Sequence, residues 1–213
     1  PTTVHIANII PDRTAPQLLG FSIDLGNNWL LLTFTEIVNV SSLMPTQFWL
    51  QDTISGTHSY QLPNSVLAIT TNPDVINMTL QLPELDSIQA NGNIGISLSS
   101  SFLRVTTAAV FDLAGNPINA SVVQATSVVQ DNTNPLLLSC TLNLTSSAIN
   151  LVFNKVVRAS ETQLSRIVVQ DQPFSPTVQL SLSNQSSFEL TNSRNLHISL
   201  GLPDFDLIRV ANL

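Results

Sequence analysis

Short apolar runs alternate with polar residues along most of the chain, and turn-forming residues separate these runs. Every second residue from Leu19 to Leu25 is apolar, and Leu30, Leu32 and Phe34 share one face of the next run. A period of two is typical of strands with one buried face, as in antiparallel sheets packed face to face. The pattern therefore predicts an all-β sandwich. The other residues that this alternation assigns to inward faces are Ile76, Met78, Leu80, Leu82, Leu138, Cys140, Leu142, Leu144, Ile198, Leu200 and Leu202.

One segment departs from the alternation and is typical of a short helix. Pro83 precedes the run Glu84–Ala90, which carries acidic residues in its first turn, and Asn91 and Gly92 follow it. Proline at the first helical position and glycine just beyond the last one are helix start and stop signals. We expect a single short helix that joins two strands.

The chain contains an internal repeat. Residues 12–52 align without a gap with residues 131–171, and 12 of these 41 positions are identical. After one inserted residue, residues 82–88 match residues 202–208. The register also extends backwards, because Val4–Pro11 falls on Val123–Gln130.

This register defines the expected domain organisation. We expect residues 1–11 to be the last strand of a preceding repeat, residues 12–130 to be a complete repeat, and residues 131–213 to be an incomplete one. A sandwich that lacks strands exposes its core and its strand edges. The missing strands of the last repeat are expected from the rest of a longer parent chain or from a neighbouring subunit.

Four motifs in order carry a resemblance to a known class of repeats. They are the Asp-x-Thr-x-Pro junction at Asp12, the run Leu30–Val38, the short helix around Asp86, and the Asp-Leu-Ala-Gly-Asn-Pro turn at Asp112. Together they resemble the tandem Ig-like repeats of bacterial surface-layer, adhesin-like and cadherin-like extracellular proteins. The resemblance implies tandem Ig-like antiparallel β-sandwiches, each with one short helix, at the cell surface or outside the cell.

Two departures from the motif bear on function. Ile37 stands where these repeats carry proline, and Lys155 stands in the second repeat where the motif carries glutamate. The array also resembles the proteins that build surface filaments, including the tubular hairs (mastigonemes) of flagella. That resemblance implies a filament as the assembled form.

Composition narrows the possible partners. Charged residues make up 10% of the 213 residues, and the net charge is −7. Because no basic patch is present, binding to nucleic acid or to an anionic membrane is not expected. No apolar run is long enough to span a membrane. The expected partners are neighbouring repeats and copies of the same protein in a filament.

Calcium is the first candidate ligand. The acidic residues Asp12 and Asp131 lie at the repeat junctions, Glu36 follows a strand, and Asp112 opens a Gly-Asn turn. Calcium binds several hard oxygen ligands, so a junction of this kind is a candidate site. The alternative is that each aspartate caps its own turn through hydrogen bonds to the backbone. Lys155, at the position of Glu36, argues against an equivalent site in the second repeat.

Covalent glycans are the second candidate. Asn-x-Ser/Thr sequons are expected on the surface of a secreted protein, and here they fall at outward strand positions or in loops. The alternative is that they form ordinary polar surface. The candidate residues are Asn39, Asn77, Asn119, Asn143 and Asn184.

Aromatic residues offer a third kind of site, and catalysis is not expected. Trp29 and Trp49 are candidate interface anchors, or else partly covered edge residues. Cys140 occupies the position of Phe21, which predicts a buried structural thiol. The histidines His5, His58 and His197 are far apart in sequence, and no catalytic motif accompanies them.

Three functions remain open at this point. The first is a structural repeat segment of an extracellular filament or cell-surface stalk, which assembles by tandem and lateral packing of Ig-like domains. The second is a cell-adhesion protein whose repeats space or bind glycan or protein ligands. The third is an appendage that carries a catalytic domain outside residues 1–213.

Overall fold

The computed structural model describes residues 8–64, 66–72, 74–211 and 213. The chain divides into two compact units, Pro1–Asn132 and Thr133–Leu213. Both units consist mainly of β-strands, and each contains one short α-helix, which confirms the predicted all-β fold class. No helix in the described ranges has the length and apolar character needed to cross a membrane.

The first unit is a sandwich whose two half-sheets share one strand. The strands follow the order β5-β4-β8-β10-β1-β2-β7-β6, and a separate short pair joins β3 to β9. The first part of β10 pairs antiparallel with β8, and its second part pairs parallel with β1. Its elements are β1 (Leu18–Asp24), β2 (Trp29–Phe34), β3 (Val38–Asn39), β4 (Phe48–Gln51), β5 (Ser59–Gln61), β6 (Leu67–Asn72), β7 (Val75–Thr79), α1 (Leu82–Asn91), β8 (Phe102–Val105), β9 (Phe111–Asp112) and β10 (Ser121–Val129).

Both half-sheets contribute to one hydrophobic core, because alternate side chains of each strand point inward. The predicted inward face of β2 is confirmed, since Leu30, Leu32 and Phe34 are all buried. The other fully or almost fully buried large side chains include Phe21, Ile23, Phe48, Leu50, Leu62, Ile76, Met78, Leu80 and Ile88.

Two positions of the predicted inward faces are wrong in this unit. Leu19 is exposed and Leu18 is buried, because the register of β1 against β2 shifts between Leu18 and Gly20. Such a bulge moves a side chain to the other face of the sheet. Leu82 is exposed because it begins α1 and so does not continue the strand period of β7.

Helix α1 has the predicted start and stop signals, although it begins at Leu82, one residue before the predicted start. Proline lies in its first turn, together with Glu84. Its C-terminal residue Asn91 is followed by Gly92, whose φ of 70° is left-handed. Glycine adopts this conformation without a Cβ penalty, so the chain leaves the helix there.

The second unit repeats the first in the same order as far as its helix. A four-stranded antiparallel sheet has the order β11-β12-β16-β15, and β13 pairs with β14. Its core contains Ile149, Leu151, Leu196 and Ile198. Its elements are β11 (Leu137–Asn143), β12 (Ala148–Val157), β13 (Val168–Gln170), β14 (Gln179–Ser181), β15 (Ser187–Phe188), β16 (Ser193–Ser199) and α2 (Leu202–Val210).

The described part of the second unit has no counterpart of β8, β9 or β10. Strand β11, which corresponds to β1, therefore pairs only with β12, and β13, which corresponds to β4, pairs only with β14. The prediction that Cys140 is buried is wrong for this reason, since the thiol is exposed. Leu138 and Leu144 are exposed as well, and Leu202 is exposed because it begins α2.

Candidate functional site

Three carboxylates meet at the junction end of the first unit. Asp12 precedes β1, Glu36 follows β2, and Asp112 ends β9. One carboxylate oxygen from each residue lies within 4.8 Å of one from each of the other two. We call these three residues the junction acids. Three of the four residues predicted as calcium ligands are thus brought together, and they come from distant parts of the sequence.

The turn that holds Asp112 is built around its own side chain. The backbone N–H and the Nδ2 of Asn116 both donate to the Asp112 carboxylate, each over 2.7 Å. Gly115 lies in the same turn with a φ of 90°, a conformation in which a Cβ would be strained. Asp112 is buried, and these hydrogen bonds fix the orientation of its carboxylate.

Asp12 also caps its own turn. The N–H of Thr14 donates to its carboxylate over 2.9 Å, and Nδ2 of Asn116 donates to its carbonyl oxygen over 3.3 Å. The capping explanation therefore holds for Asp12 and for Asp112, and it coexists with their convergence on Glu36. Asn116 links the two turns, a role that its place in the Asp112 motif does not indicate.

The three charges are not equivalent. Burial raises the pKa of Glu36, and the negative charges of Asp12 and Asp112 raise it further. Burial also raises the pKa of Asp112, but the hydrogen bonds from Asn116, Gly115 and Ala114 outweigh it and leave that pKa below its ordinary value. Glu36 is therefore the junction acid whose ionised form is disfavoured by the charges of the other two. A bound cation would reduce this repulsion.

Asp131 does not join such a cluster. In the second unit the position of Glu36 holds Lys155, whose Nζ donates to the carbonyl oxygen of Thr133 over 2.9 Å and also to its hydroxyl. The second unit thus has a hydrogen-bonded ammonium group at the position where the first unit has the Glu36 carboxylate. The described second unit also lacks the strand that would bring a counterpart of Asp112.

The five sequon asparagines differ in access. Asn119, Asn143 and Asn184 are exposed, whereas Asn39 and Asn77 are half-buried. Oδ1 of Asn77 is enclosed and has no hydrogen-bond partner among the described residues. Asn143 caps a turn through Oδ1, which accepts from the N–H groups of Thr145 and Ser146. Its Nδ2, the atom that carries an N-linked glycan, does not take part in these bonds.

Trp29 and Trp49 lie on different half-sheets and do not form one patch. Trp29 is a half-buried residue of β2, and Trp49 is a half-buried residue of β4. The guanidinium carbon of Arg104 lies 4.7 Å from the centre of the Trp49 ring. These two residues are opposite each other on β4 and β8. Arg104 was not predicted, because its position depends on the pairing of two strands that are far apart in sequence.

The histidines do not come together within the described residues. Nδ1 of His58 lies 2.7 Å from the Asp52 carboxylate in the first unit, and Nδ1 of His197 lies 2.6 Å from Oδ1 of Asn150 in the second. His5 lies outside the described residues. Each described histidine thus has a partner that explains its position without catalysis.

Comparisons with known proteins give a weak structural likeness. No protein-family model and no curated protein matches the chain. The N-terminal part of the bacterial S-layer protein SbsC is 15% identical with a TM-score of 0.37, and 88% of this chain covers 44% of that one. Domains 1–6 of the surface layer protein SbsC show 15% identity and a TM-score of 0.38, with 88% and 26% covered. The I9–I11 tandem of titin shows 9% identity and a TM-score of 0.24, with 89% and 58% covered.

The chain spans less than half the length of these S-layer structures. Likeness at this level does not establish the function of the chain.

Proposed function

We propose that this chain is a structural segment of an extracellular filament or cell-surface stalk, in which Ig-like units pack in tandem and side by side. The observation that carries this proposal is the repetition within the chain. Two units have the same order of strands and the same short helix, and the junction between them is short. Repetition of one unit along the chain is the economical way to build length.

The surface composition supports lateral packing. Only 10% of the residues are charged, so neighbouring chains repel each other weakly. The outer face of β2, β7 and β6 carries Leu31, Asn77 and Ile69 side by side, and Ile69 is exposed. This row is a candidate contact between neighbouring chains.

Light scattering and electron microscopy of the purified chain test the proposal. We expect concentration-dependent assembly into elongated particles. Ile69→Lys should weaken lateral association, and Ile54→Lys, at another exposed apolar residue of the same unit, is the matched control. A chain that stays monomeric and compact at every concentration would contradict the proposed function.

We also propose that calcium binds the junction acids. Calcium prefers carboxylate oxygens, and modules of extracellular proteins bind it with a Kd of about 0.1–1 mM. Calcium at about 10 mM should then stabilise the first unit by about 1–3 kcal/mol through mass action. Glu36→Gln should abolish the calcium response, whereas Glu161→Gln in the second unit should leave it unchanged. A response that survives Glu36→Gln would place the calcium elsewhere.

Glycans are proposed at the exposed sequons Asn119, Asn143 and Asn184. Expression in a eukaryotic secretory host, followed by mass spectrometry before and after enzymatic deglycosylation, measures occupancy at each asparagine. Asn77, with its enclosed amide oxygen, should stay unmodified. A glycan on Asn77 would cover the row formed by Leu31, Asn77 and Ile69. Glycosylation of Asn77 would therefore be incompatible with lateral assembly through that row.

Adhesion through an aromatic surface is the second candidate function. The Arg104 guanidinium lies over the ring of the partly exposed Trp49. Such an aromatic residue is a candidate contact for a sugar or a protein. Binding to a glycan array, lost on Trp49→Ala and kept on Trp29→Ala, would support this candidate. An array without any signal for the unsubstituted chain would oppose it.

A further inference from the structure

Strand β6 forms one edge of the first unit. It pairs with β7 on one side, and no strand among the described residues pairs with its other side. The strand lies near the middle of the repeat of residues 12–130, far in sequence from both ends of the chain. Ile69, in the middle of β6, is 59% exposed. An unpaired edge of this kind presents backbone N–H and C=O groups that another strand can bind.

The opposite edge of the first unit and the equivalent edge of the second unit are formed by shorter strands. Strand β5, at the opposite edge, has three residues, and β15, the counterpart of β6, has two. Strand β6 has six residues, and its register against β7 is regular from Leu67 to Thr70 and shifts before Asn72. Shortness, charge and proline are among the devices that keep an edge from pairing. Strand β6 contains neither a charged residue nor proline, so its edge lacks these devices.

The second repeat carries a charge at the position of Ile69. Ala68 of β6 and Phe188 of β15 occupy equivalent positions in the two sheets, so Glu189 is the counterpart of Ile69. Glu189 is exposed, and β15 ends at the residue before it. A charged residue at a sheet edge opposes pairing with another chain. The same edge is therefore protected in the second unit and open to pairing in the first.

The charge distribution indicates which occupant suits this edge. Residues 1–132 contain nine acidic and two basic residues, so like charges oppose contact between two copies over much of the first unit. Residues 67–72 carry no charge, and the nearest acidic residue along the chain is Asp74. In an antiparallel pair centred on Ile69, the two copies of Asp74 lie at opposite ends of the paired strands. Two copies can therefore meet along β6 without bringing like charges together.

We propose that β6 pairs with β6 of a second copy, antiparallel and about a two-fold axis, with Ile69 opposite Ile69. Such pairing joins two sheets edge to edge through their backbones. The row of Leu31, Asn77 and Ile69 then continues into the same row of the second copy. Apolar β-branched residues that lie opposite each other on one face stabilise a strand pair.

This inference rests on the proposed function, for which it supplies the lateral contact. A two-fold contact is self-complementary and closes on itself. It therefore joins chains side by side in pairs, and lengthwise extension is left to the tandem units.

Charge substitutions at position 69 test whether this residue meets its own copy. Sedimentation velocity of the full chain is compared with that of Ile69→Glu, which introduces the residue type of the second repeat, and of Ile69→Lys. Each variant alone should raise the Kd of the dimer by about tenfold or more, because like charges then face each other across the axis. An equimolar mixture of the two variants should recover most of the lost affinity, since opposite charges then face each other.

The matched controls are Ile54→Glu and Ile54→Lys, at another exposed apolar residue of the same unit. They should leave the Kd unchanged, both alone and mixed. A mixture of the two position-69 variants that associates no better than either variant alone would overturn the proposal, because Ile69 would then contact a different surface.

Disulfide formation tests the register. In the background Cys140→Ser, Ile69→Cys should form a covalent dimer with oxidised glutathione. Opposite residues of an antiparallel pair have Cα atoms about 4.5–5.5 Å apart, which a disulfide can span. Ile54→Cys in the same background should form such a dimer at least about tenfold more slowly, since no contact concentrates its thiol. Equal rates for the two cysteines would contradict the proposed register.

The two proposals fail in different ways. If the unsubstituted chain assembles into elongated particles and Ile69→Glu assembles equally well, the β6 pairing is wrong and the structural array stands. If the unsubstituted chain stays monomeric at every concentration, the proposed function itself is contradicted.

Discussion

The first unit buries Phe21 on β1, whereas the second unit exposes Cys140 at the same position of β11. Both strands have the same bulge and the same antiparallel neighbour. They differ on the other edge, where β10 pairs with β1 but no strand among the described residues pairs with β11. The comparison teaches that the alternation of a strand defines a candidate inward face, and that the neighbouring strands decide whether this face is covered.

The junction shows a second difference of the same kind. Glu36 joins Asp12 and Asp112 in an acidic cluster, whereas Lys155 at the equivalent position bonds to Thr133. The same position of the repeat thus carries a carboxylate among other carboxylates in the first unit and a hydrogen-bonded ammonium group in the second.

The largest loss of stability is expected when the phenylalanine that both units carry at equivalent positions is truncated. Phe34 is almost completely buried and its counterpart Phe153 is half-buried. Phe34→Ala should destabilise the first unit by about 3–5 kcal/mol, as truncation of a buried aromatic side chain does. Phe153→Ala should cost the second unit clearly less. Trp29 and Trp49 both lie in the first unit, so tryptophan fluorescence during urea unfolding measures the stability of that unit. Hydrogen exchange measures the stability of the second unit.

Equal losses for these two substitutions would show that the second unit is covered as completely as the first.

A smaller effect is expected at the residue before each helix. A Cβ on Gly201 would clash with the carbonyl oxygen of Gln185, so the backbone must shift to accept it. Gly201→Ala should destabilise the second unit by about 1–3 kcal/mol. The first unit has Gln81 at this place, and Gln81→Ala should change its stability by no more than about 0.5 kcal/mol. Hydrogen exchange of α2 and α1 measures the two effects, and a neutral Gly201→Ala would refute the close approach.

Substitution of the charged residue at the equivalent positions Glu36 and Lys155 should change the stability of the two units modestly and in opposite directions. Because the folded-state pKa of Glu36 is raised, the folded state holds its proton more tightly, and stability rises as the pH falls through that pKa. Without calcium, Glu36→Gln should therefore stabilise the first unit slightly at pH 7. Lys155→Glu should destabilise the second unit, since it removes the bonds to Thr133. Urea unfolding of both variants at two pH values would reveal a wrong sign.

The smallest effect is expected at the turn after β1 and β11. The side-chain hydrogen bond from Asn27 lowers the pKa of Asp24, and the N–H groups of Asn27 and Gly26 lower it further against the effect of burial. This stability is present above the unfolded-state pKa of about 4 and is lost as the pH falls through the lower folded-state value. Asn143, at the same position, does not titrate.

Acidification from pH 6 to pH 3 should therefore weaken the first unit through this turn, and Asp24→Asn should remove that component of the pH dependence. Asn143→Asp should introduce it into the second unit. Unfolding curves for the unsubstituted chain and these two variants across this pH range make the comparison, and a pH dependence that Asp24→Asn leaves unchanged would assign it to other carboxylates.

Much of the candidate site follows from local patterns. The Asp-x-Thr and Asp-x-x-Gly-Asn motifs predict that Asp12 and Asp112 cap turns, and both do so. The repeat register identifies Lys155 as the counterpart of Glu36. The stacking of Arg104 on Trp49 could not be predicted in this way, because the register between β4 and β8 depends on pairing across half the unit.

The sequence by itself determined the all-β class, the repeat with its register, and the presence of the short helix, because each depends on periodicity, turn chemistry or self-similarity within short stretches. Only the tertiary structure decided that Asp12, Glu36 and Asp112 converge while Asp131 does not, and that Cys140 is exposed. Convergence and burial depend on which strands are neighbours, and residues far apart in the chain set this.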